Sequence, residues 1–171
     1  MYRYVYVEIN ILCILILMYI LLNLRNNIDK QLANVQFYKV IASVLIILAL
    51  DVSWILIEGS SVPAMRIYNN LINAWYLFQT GVISYFWFYF IEGKFKNAKS
   101  FRGLRLKLMA LPLAALCVIS FTSPWTGWLF YVDKFNVYHR GRFHSIQIII
   151  AYFYLIASAY NVLRRLVKLR F

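Results

Sequence analysis

A carboxylate set inside a long apolar run is the group in this chain best able to do chemistry. Asp51 lies in the run Phe37–Ile57, six residues before its end, which is about 9 Å along a helix rising ~1.5 Å per residue. A carboxylate among hydrocarbon is costly, and it becomes a functional candidate that needs a partner. Glu58 follows seven residues on, on nearly the same helical face, with Trp54 and Ile55 between them. A second polar stripe opens the next run. Asn69, Asn73, Tyr76 and Thr80 share one face there, with Asn70 and Gln79 beside it. The two stripes are expected to face each other and line a ligand pocket, with Arg140 or Arg66 as counter-charge. Glu8 and Asn10 are close enough to the same end to join it. The other use of such residues is interhelical hydrogen bonding that only holds a bundle together.

Other chemistries find little support. His139 and His144 are five residues apart around Gly141, and neither a Cys nor a carboxylate completes a metal set at useful spacing. The sequence contains neither a recognisable nucleophile setting nor a Gly-rich phosphate loop. An enzyme is therefore not expected, and neither is a cofactor or a resident metal. Cys13 and Cys117 lie inside apolar runs and read as small buried hydrophobes.

The elements that must position these residues are five apolar runs: Val5–Leu24, Phe37–Ile57, Tyr68–Ile91, Leu104–Thr122 and Phe143–Leu163. Each is close to the ~20 residues that a helix needs to cross ~30 Å of hydrocarbon. Backbone polar groups in lipid must be satisfied within the segment, which selects helices. The expected fold is all-α, a polytopic five-helix transmembrane bundle forming a single domain over residues 1–171. The composition, 63% hydrophobic and 19% aromatic, is far from that of a soluble domain. A chain of this length does not hold both such a bundle and a soluble catalytic domain. The net charge of +12 does not argue for nucleic acid, because isolated basic residues flanking apolar runs are a membrane pattern. The first run is too long for a signal peptide and lacks a cleavage pattern before Arg25.

The basic residues sit mostly in every second gap. Arg25, Lys30 and Lys39 lie in the first gap, and Lys94, Lys96, Lys99, Arg102, Arg105 and Lys107 in the third. Arg164, Arg165, Lys168 and Arg170 lie in the tail. Those thirteen of the eighteen Lys and Arg mark the cytoplasmic side; Arg3, Arg66, Lys134, Arg140 and Arg142 fall on the other. The expected topology places the N-terminus outside and the C-terminus inside a multi-pass protein of the cytoplasmic membrane. The outer loop, residues 124–142, is dense in aromatics. Leu129–Val132 and Asn136–Tyr138 read as two short strands around an Asp133-Lys134 turn, a hairpin folded over the outer mouth. Residues 164–171 continue the last helix with Leu163 and Leu166 one turn apart and no Gly or Pro stop, as the start of a cytoplasmic output helix.

The stretch Asn70-Leu-Ile-Asn-Ala-Trp-Tyr-Leu-Phe-Gln-Thr-Gly-Val-Ile-Ser-Tyr-Phe-Trp-Phe-Tyr89, followed by a basic loop, resembles the third span of a membrane sensor region. Such regions precede bacterial GGDEF (diguanylate cyclase) domains and are related to the N-terminal membrane regions of some histidine kinases. Ser123-Pro-Trp-Thr-Gly-Trp-Leu-Phe-Tyr-Val-Asp133 and Asn136-Val-Tyr-His-Arg-Gly141 look like that family's outer loop, and Asp51 with Trp54 fits its pattern. The resemblance spans nearly the whole chain. It implies an input module that senses an extracellular small ligand or a membrane state. The signal would pass through the last helix to a cytoplasmic cyclase or kinase, with homodimerisation through that helix. Tyr138 and Arg140 then join Asp51, Glu58, Asn69, Asn73, Tyr76 and Gln79 as candidate ligand-binding residues. The chain departs from the family in having no GGDEF motif and no kinase histidine box, as either a piece of a longer protein or a stand-alone remnant. It also carries Arg142 where a Pro is expected after Arg-Gly. A substrate-binding subunit of a vitamin importer is the competing reading, although such proteins usually have six spans and small-residue docking stripes. A membrane scaffold is the third.

Overall fold

A computed structural model describes residues 2–27, 32–95 and 108–169. The described helices are α1 (Tyr2–Asn27), α2 (Leu32–Ile57), α3 (Pro63–Phe95), α4 (Leu111–Thr126) and α5 (Ser145–Leu169). A hairpin of β1 (Phe130–Val132) and β2 (Tyr138–Arg140) interrupts them between α4 and α5. The fold is thus all-α with one small two-stranded sheet. Several expectations lie outside the described residues: Lys30, Lys96, Lys99, Arg102, Arg105, Lys107 and Arg170, the start of the fourth run at 104–107, and the last two positions of the tail.

Leu, Ile, Val and Phe fill the helices, and each helix is apolar on most of its circumference. α1, α2 and α5 are each long and apolar enough to cross a membrane. α3 has 33 residues, but Asn69, Asn70, Asn73 and Gln79 interrupt its apolar stretch. α4 is apolar with 16 residues, or about 24 Å of helix. Large side chains on α1 such as Leu12 and Leu15 are about three-fifths exposed (59% and 60%), a surface that suits hydrocarbon rather than water.

α3 is the central element and packs against α2, α4 and α5, while α1 lies along α2. Gly81 lets α3 and α4 approach closely, since a Cβ there would stand 3.2 Å from Leu113 Cδ1 and closer still to Leu116. At the hairpin end, Ala74, Leu77, Leu116, Leu129, Phe130 and Val132 form one buried cluster. At the opposite end, Phe88 and Tyr154 form another, flanked by Tyr85 and Tyr89. There the Tyr154 hydroxyl donates to Met109 O (2.7 Å) and accepts from the Leu113 N–H (3.1 Å), tying α5 to the start of α4.

The hairpin differs from its expected register. β1 pairs antiparallel with β2 through Phe130↔Arg140, Tyr131↔His139 and Val132↔Tyr138. The second strand therefore begins at Tyr138 and not at Asn136. The cause is turn chemistry. Asp133 Oδ1 accepts the N–H groups of Phe135 (2.9 Å) and Val137 (3.0 Å), an Asx arrangement that keeps the chain turning. Asn136 takes a left-handed backbone with φ 60°, which Asn tolerates better than most residues. Residues 133–137 are consumed by the turn. α4 ends in a left-handed Gly127 (φ 66°) whose N–H bonds Ser123 O at 2.8 Å, a common helix stop. The chain then enters β1 with the Leu129 N–H held by Ser123 Oγ at 3.1 Å.

Candidate functional site

α1, α2, α3, β2 and the start of α5 enclose a cavity of about 410 Å³ at the hairpin end. This falls in the ~300–1,000 Å³ range of small-molecule sites. Asp51 and Trp54 wall it from α2, and Asn73, Tyr76 and Leu77 from α3. Tyr138 and Arg140 close it from β2. Tyr6 completes it from α1, with His144, Gln147 and Ile148 on the far wall.

Asp51 is held from the first helix. The Tyr6 hydroxyl donates a short hydrogen bond to Asp51 Oδ2, and Asn10 Nδ2 donates to the same oxygen at 3.3 Å. Tyr6 and Asn10 are four residues apart, so one face of α1 presents both donors. Asn10 is buried and bonds Asp51 without lining the cavity, and Glu8 is exposed. Trp54 meets Tyr138 edge to face, with ring centroids 6.3 Å apart at 78°, a favoured aromatic geometry. The Trp54 Nε1 atom is buried without a hydrogen-bond partner among the described residues. Burial pushes the Tyr138 hydroxyl up to about 12, against the Arg140 charge, which pulls it down.

His144 precedes α5 by one residue. Its Nδ1 lies 3.2 Å from Leu129 O, and Gln147 Nε2 lies 3.1 Å from its Nε2. Only one tautomer serves both contacts: Nδ1–H donates to the carbonyl and Nε2 accepts from the amide. Burial first, and the Arg140 charge as well, hold His144 below its ordinary value, while the Leu129 carbonyl opposes them. The neutral ring is the form this wall is built around.

Of the residues expected to meet in a pocket, Asp51, Asn73, Tyr76, Tyr138 and Arg140 line the cavity. Glu58, Asn69 and Gln79 do not. Glu58 Oε1 accepts the Tyr138 N–H at 3.2 Å and so holds β2 from α2. Asn69 is fully buried (0% exposed), and its Nδ2 donates to Asn136 Oδ1 (2.8 Å) and Asn136 O (3.1 Å). Asn73 Nδ2 in turn donates to Asn69 Oδ1 at 2.6 Å. Asn136 Nδ2 reaches Ile57 O at 2.8 Å, and its carbonyl also accepts the Gly59 N–H at 3.0 Å. Asn69 therefore anchors the hairpin to the α2–α3 turn. Gln79 Nε2 donates to Ser43 O at 3.2 Å, deep between α3 and α2.

Arg140, and not Arg66, is the cation at the cavity. Arg66 donates to Val132 O at 3.0 Å and lines a separate surface cleft of about 760 Å³ with Asn70, Lys134 and the α2–α3 turn. His139 Nε2 lies 3.0 Å from Asp133 Oδ2 and its ring stacks on Tyr131 at 5.0 Å, so the two histidines serve different partners. Tyr6, His144, Gln147, Leu77 and Ile148 were not anticipated as lining residues. The signals that point to some of them are spacings: Tyr6 and Asn10 at four, His144 and Gln147 at three.

No protein-family model matches the chain, and no curated protein or solved structure matches it.

Proposed function

We propose that the chain is the signal-input module of a membrane protein. The occupant of the hairpin-end cavity sets the packing of α5, and α5 carries that change to a cytoplasmic output of the cyclase or kinase type. All five helices cross the cytoplasmic membrane in this reading, with the N-terminus and the hairpin outside. α3 spans with its polar face turned to α2 and α5, and copies pair through the end of α5.

The observation that carries the proposal is the shared wall. Asp51 of α2 and Gln147 and Ile148 of α5 line one cavity, so an occupant touches the signalling helix directly. α5 runs from there without a break to Leu169. A ligand shifts such an equilibrium only by its differential affinity for two packings. A cavity shared by two helices supplies that difference.

The test fuses the full chain in frame to a diguanylate cyclase reporter and blocks the cavity with Ile148→Trp. Ile149→Trp, on the adjacent exposed position, is the control. Reporter output should change in the first variant and not in the second, with equal membrane insertion. Equal output from both sinks the proposal.

A further inference from the structure

The cavity holds two charged groups that no described residue neutralises. Among the described residues, Asp51 has no cationic partner and Arg140 has no anionic one. Asp51 engages Tyr6 and Asn10 through Oδ2 alone, which leaves Oδ1 without a hydrogen bond from the described residues. The aromatic side chains of Tyr6, Trp54, Tyr76 and Tyr138 line the same cavity. Asp51 is partly buried and Arg140 is exposed, so a ligand that reaches both gains charge-assisted contacts on either side of the cavity.

A bare cation would meet Asp51 and the ring faces favourably but would face Arg140 as a like charge. A bare anion would meet the reverse conflict. An apolar ligand would strip water from both charges and pair neither. One class answers both charges. We infer that the cavity takes a small zwitterion, with an ammonium group held by Asp51 among the rings of Tyr6, Trp54 and Tyr76, and an anionic group held by Arg140. Aromatic faces attract ammonium groups, substituted ones included, and guanidinium pairs equally well with a carboxylate or a phosphate. The anionic half is therefore either, and the source is a free solute or a lipid headgroup. This rests on the input-module reading and names the ligand class of its pocket.

The experiment places the full chain in nanodiscs of phosphatidylglycerol, which carry no zwitterionic headgroup, and follows tryptophan fluorescence. The probes are glycine betaine, glycerophosphocholine, choline (cation alone) and acetate (anion alone). At least one of the first two should saturate at or below millimolar concentration. Choline and acetate should bind more weakly by about tenfold or more, the loss of one charge-assisted contact. Saturation by glycine betaine alone assigns a carboxylate as the anionic half, by glycerophosphocholine alone a phosphate ester, and by both the class; phosphatidylcholine in the nanodisc that competes with the soluble probe assigns a headgroup as the source, and one that does not assigns a free solute. Asp51→Asn should weaken both the zwitterion and choline. Arg140→Gln, on an exposed hairpin position, should weaken the zwitterion about tenfold and tighten choline, which no longer meets a like charge. Lys134→Gln, a cation on the same hairpin outside this cavity, should change neither. Choline binding as tightly as the zwitterions overturns the inference, and so does the absence of saturation by both zwitterions. If no zwitterion binds while Ile148→Trp still alters reporter output, the ligand class fails and the input-module reading stands.

Discussion

The two ends of the helical bundle are built on opposite plans. At the hairpin end, polar side chains from four helices and a strand surround open volume, and Asp51 keeps one carboxylate oxygen without a hydrogen bond from the described residues. At the opposite end aromatic rings pack against one another. Phe88 and Tyr154 are buried with centroids 6.2 Å apart, Tyr85 meets Tyr154 at 5.5 Å, and Glu92, only 2% exposed, lies 3.8 Å from Arg165 of α5. One helix pair, α3 and α5, spans both regions. A loosely filled end can answer an occupant, whereas a close-packed end with a buried charge has few alternative arrangements. The difference separates where the fold is held from where it is able to change.

The hairpin end depends on one backbone approach, and breaking it should have the largest effect. A Cβ at Gly141 would collide with the carbonyl oxygens of Gly127 and Trp128. Backbone has no rotamer to move, so Gly141→Ala must displace β2, which carries Tyr138 and Arg140 into the cavity. The expected outcome is loss of saturable binding by any probe, with helicity by circular dichroism unchanged. Retained binding would show that the hairpin does not build the site.

Phe88→Ala tests the other end. Removing a buried ring leaves a cavity and costs about 3 kcal/mol. It should lower the midpoint of thermal unfolding while leaving probe affinity within about twofold, since sites this far apart with no shared partners act independently. A matching loss of affinity would mean the two ends are coupled in the resting state.

Asn136→Ala is expected to fall just below these. It forfeits the bonds to Asn69 and Ile57 O and places Ala at φ 60°, about 1–2 kcal/mol for the backbone alone. Asn136→Gly removes the same side chain without that strain. Protease cleavage of the hairpin should be faster in both variants, and fastest in the alanine one. Equal rates would locate the whole effect in the lost hydrogen bonds.

Much of the bundle is legible in the sequence, because runs of Leu, Ile, Val and Phe bounded by polar residues specify helices at every scale of reasoning. The first strand is legible for a similar local reason: alternating Phe130, Tyr131 and Val132 before a turn residue. The second strand is not, since its start depends on Asp133 capturing two N–H groups and Asn136 turning left-handed. Within the polar stripe of α3, periodicity places Asn69, Asn73 and Tyr76 on one face but does not say what stands opposite. Asn69 meets Asn136, which is 67 residues away, so it becomes an anchor. Tyr76 meets open volume, so it becomes a wall. Of the two partners of Asp51, Asn10 is a candidate in the sequence by its position, whereas Tyr6 gains its part only once α1 is laid along α2.

The smallest expected effect concerns acid, and it bears on the hairpin end alone. Two groups there have depressed folded values. His144 sits below the ordinary histidine value chiefly through burial, and Asp133 sits below the ordinary carboxylate value chiefly through its bond with His139. In each case the folded protein binds fewer protons than the unfolded chain, so stability rises with pH. The His144 contribution is complete above about pH 6.5, its unfolded value, and is lost as pH falls through the lower folded one. The Asp133 contribution is complete above about pH 4 and is lost further down. Protonating His144 adds a charge beside Arg140 and turns Nε2 from acceptor to donor, which the Gln147 amide meets only by turning its oxygen to the ring. Acidification should therefore loosen the hairpin in two steps, read as hydrogen exchange at the Asn136 and Gly141 amides. His144→Gln should abolish the upper step and spare the lower one, and amides near Phe88 should show neither. An upper step that survives His144→Gln would assign the acid sensitivity to another group and leave the neutral imidazole without a part in holding the cavity wall.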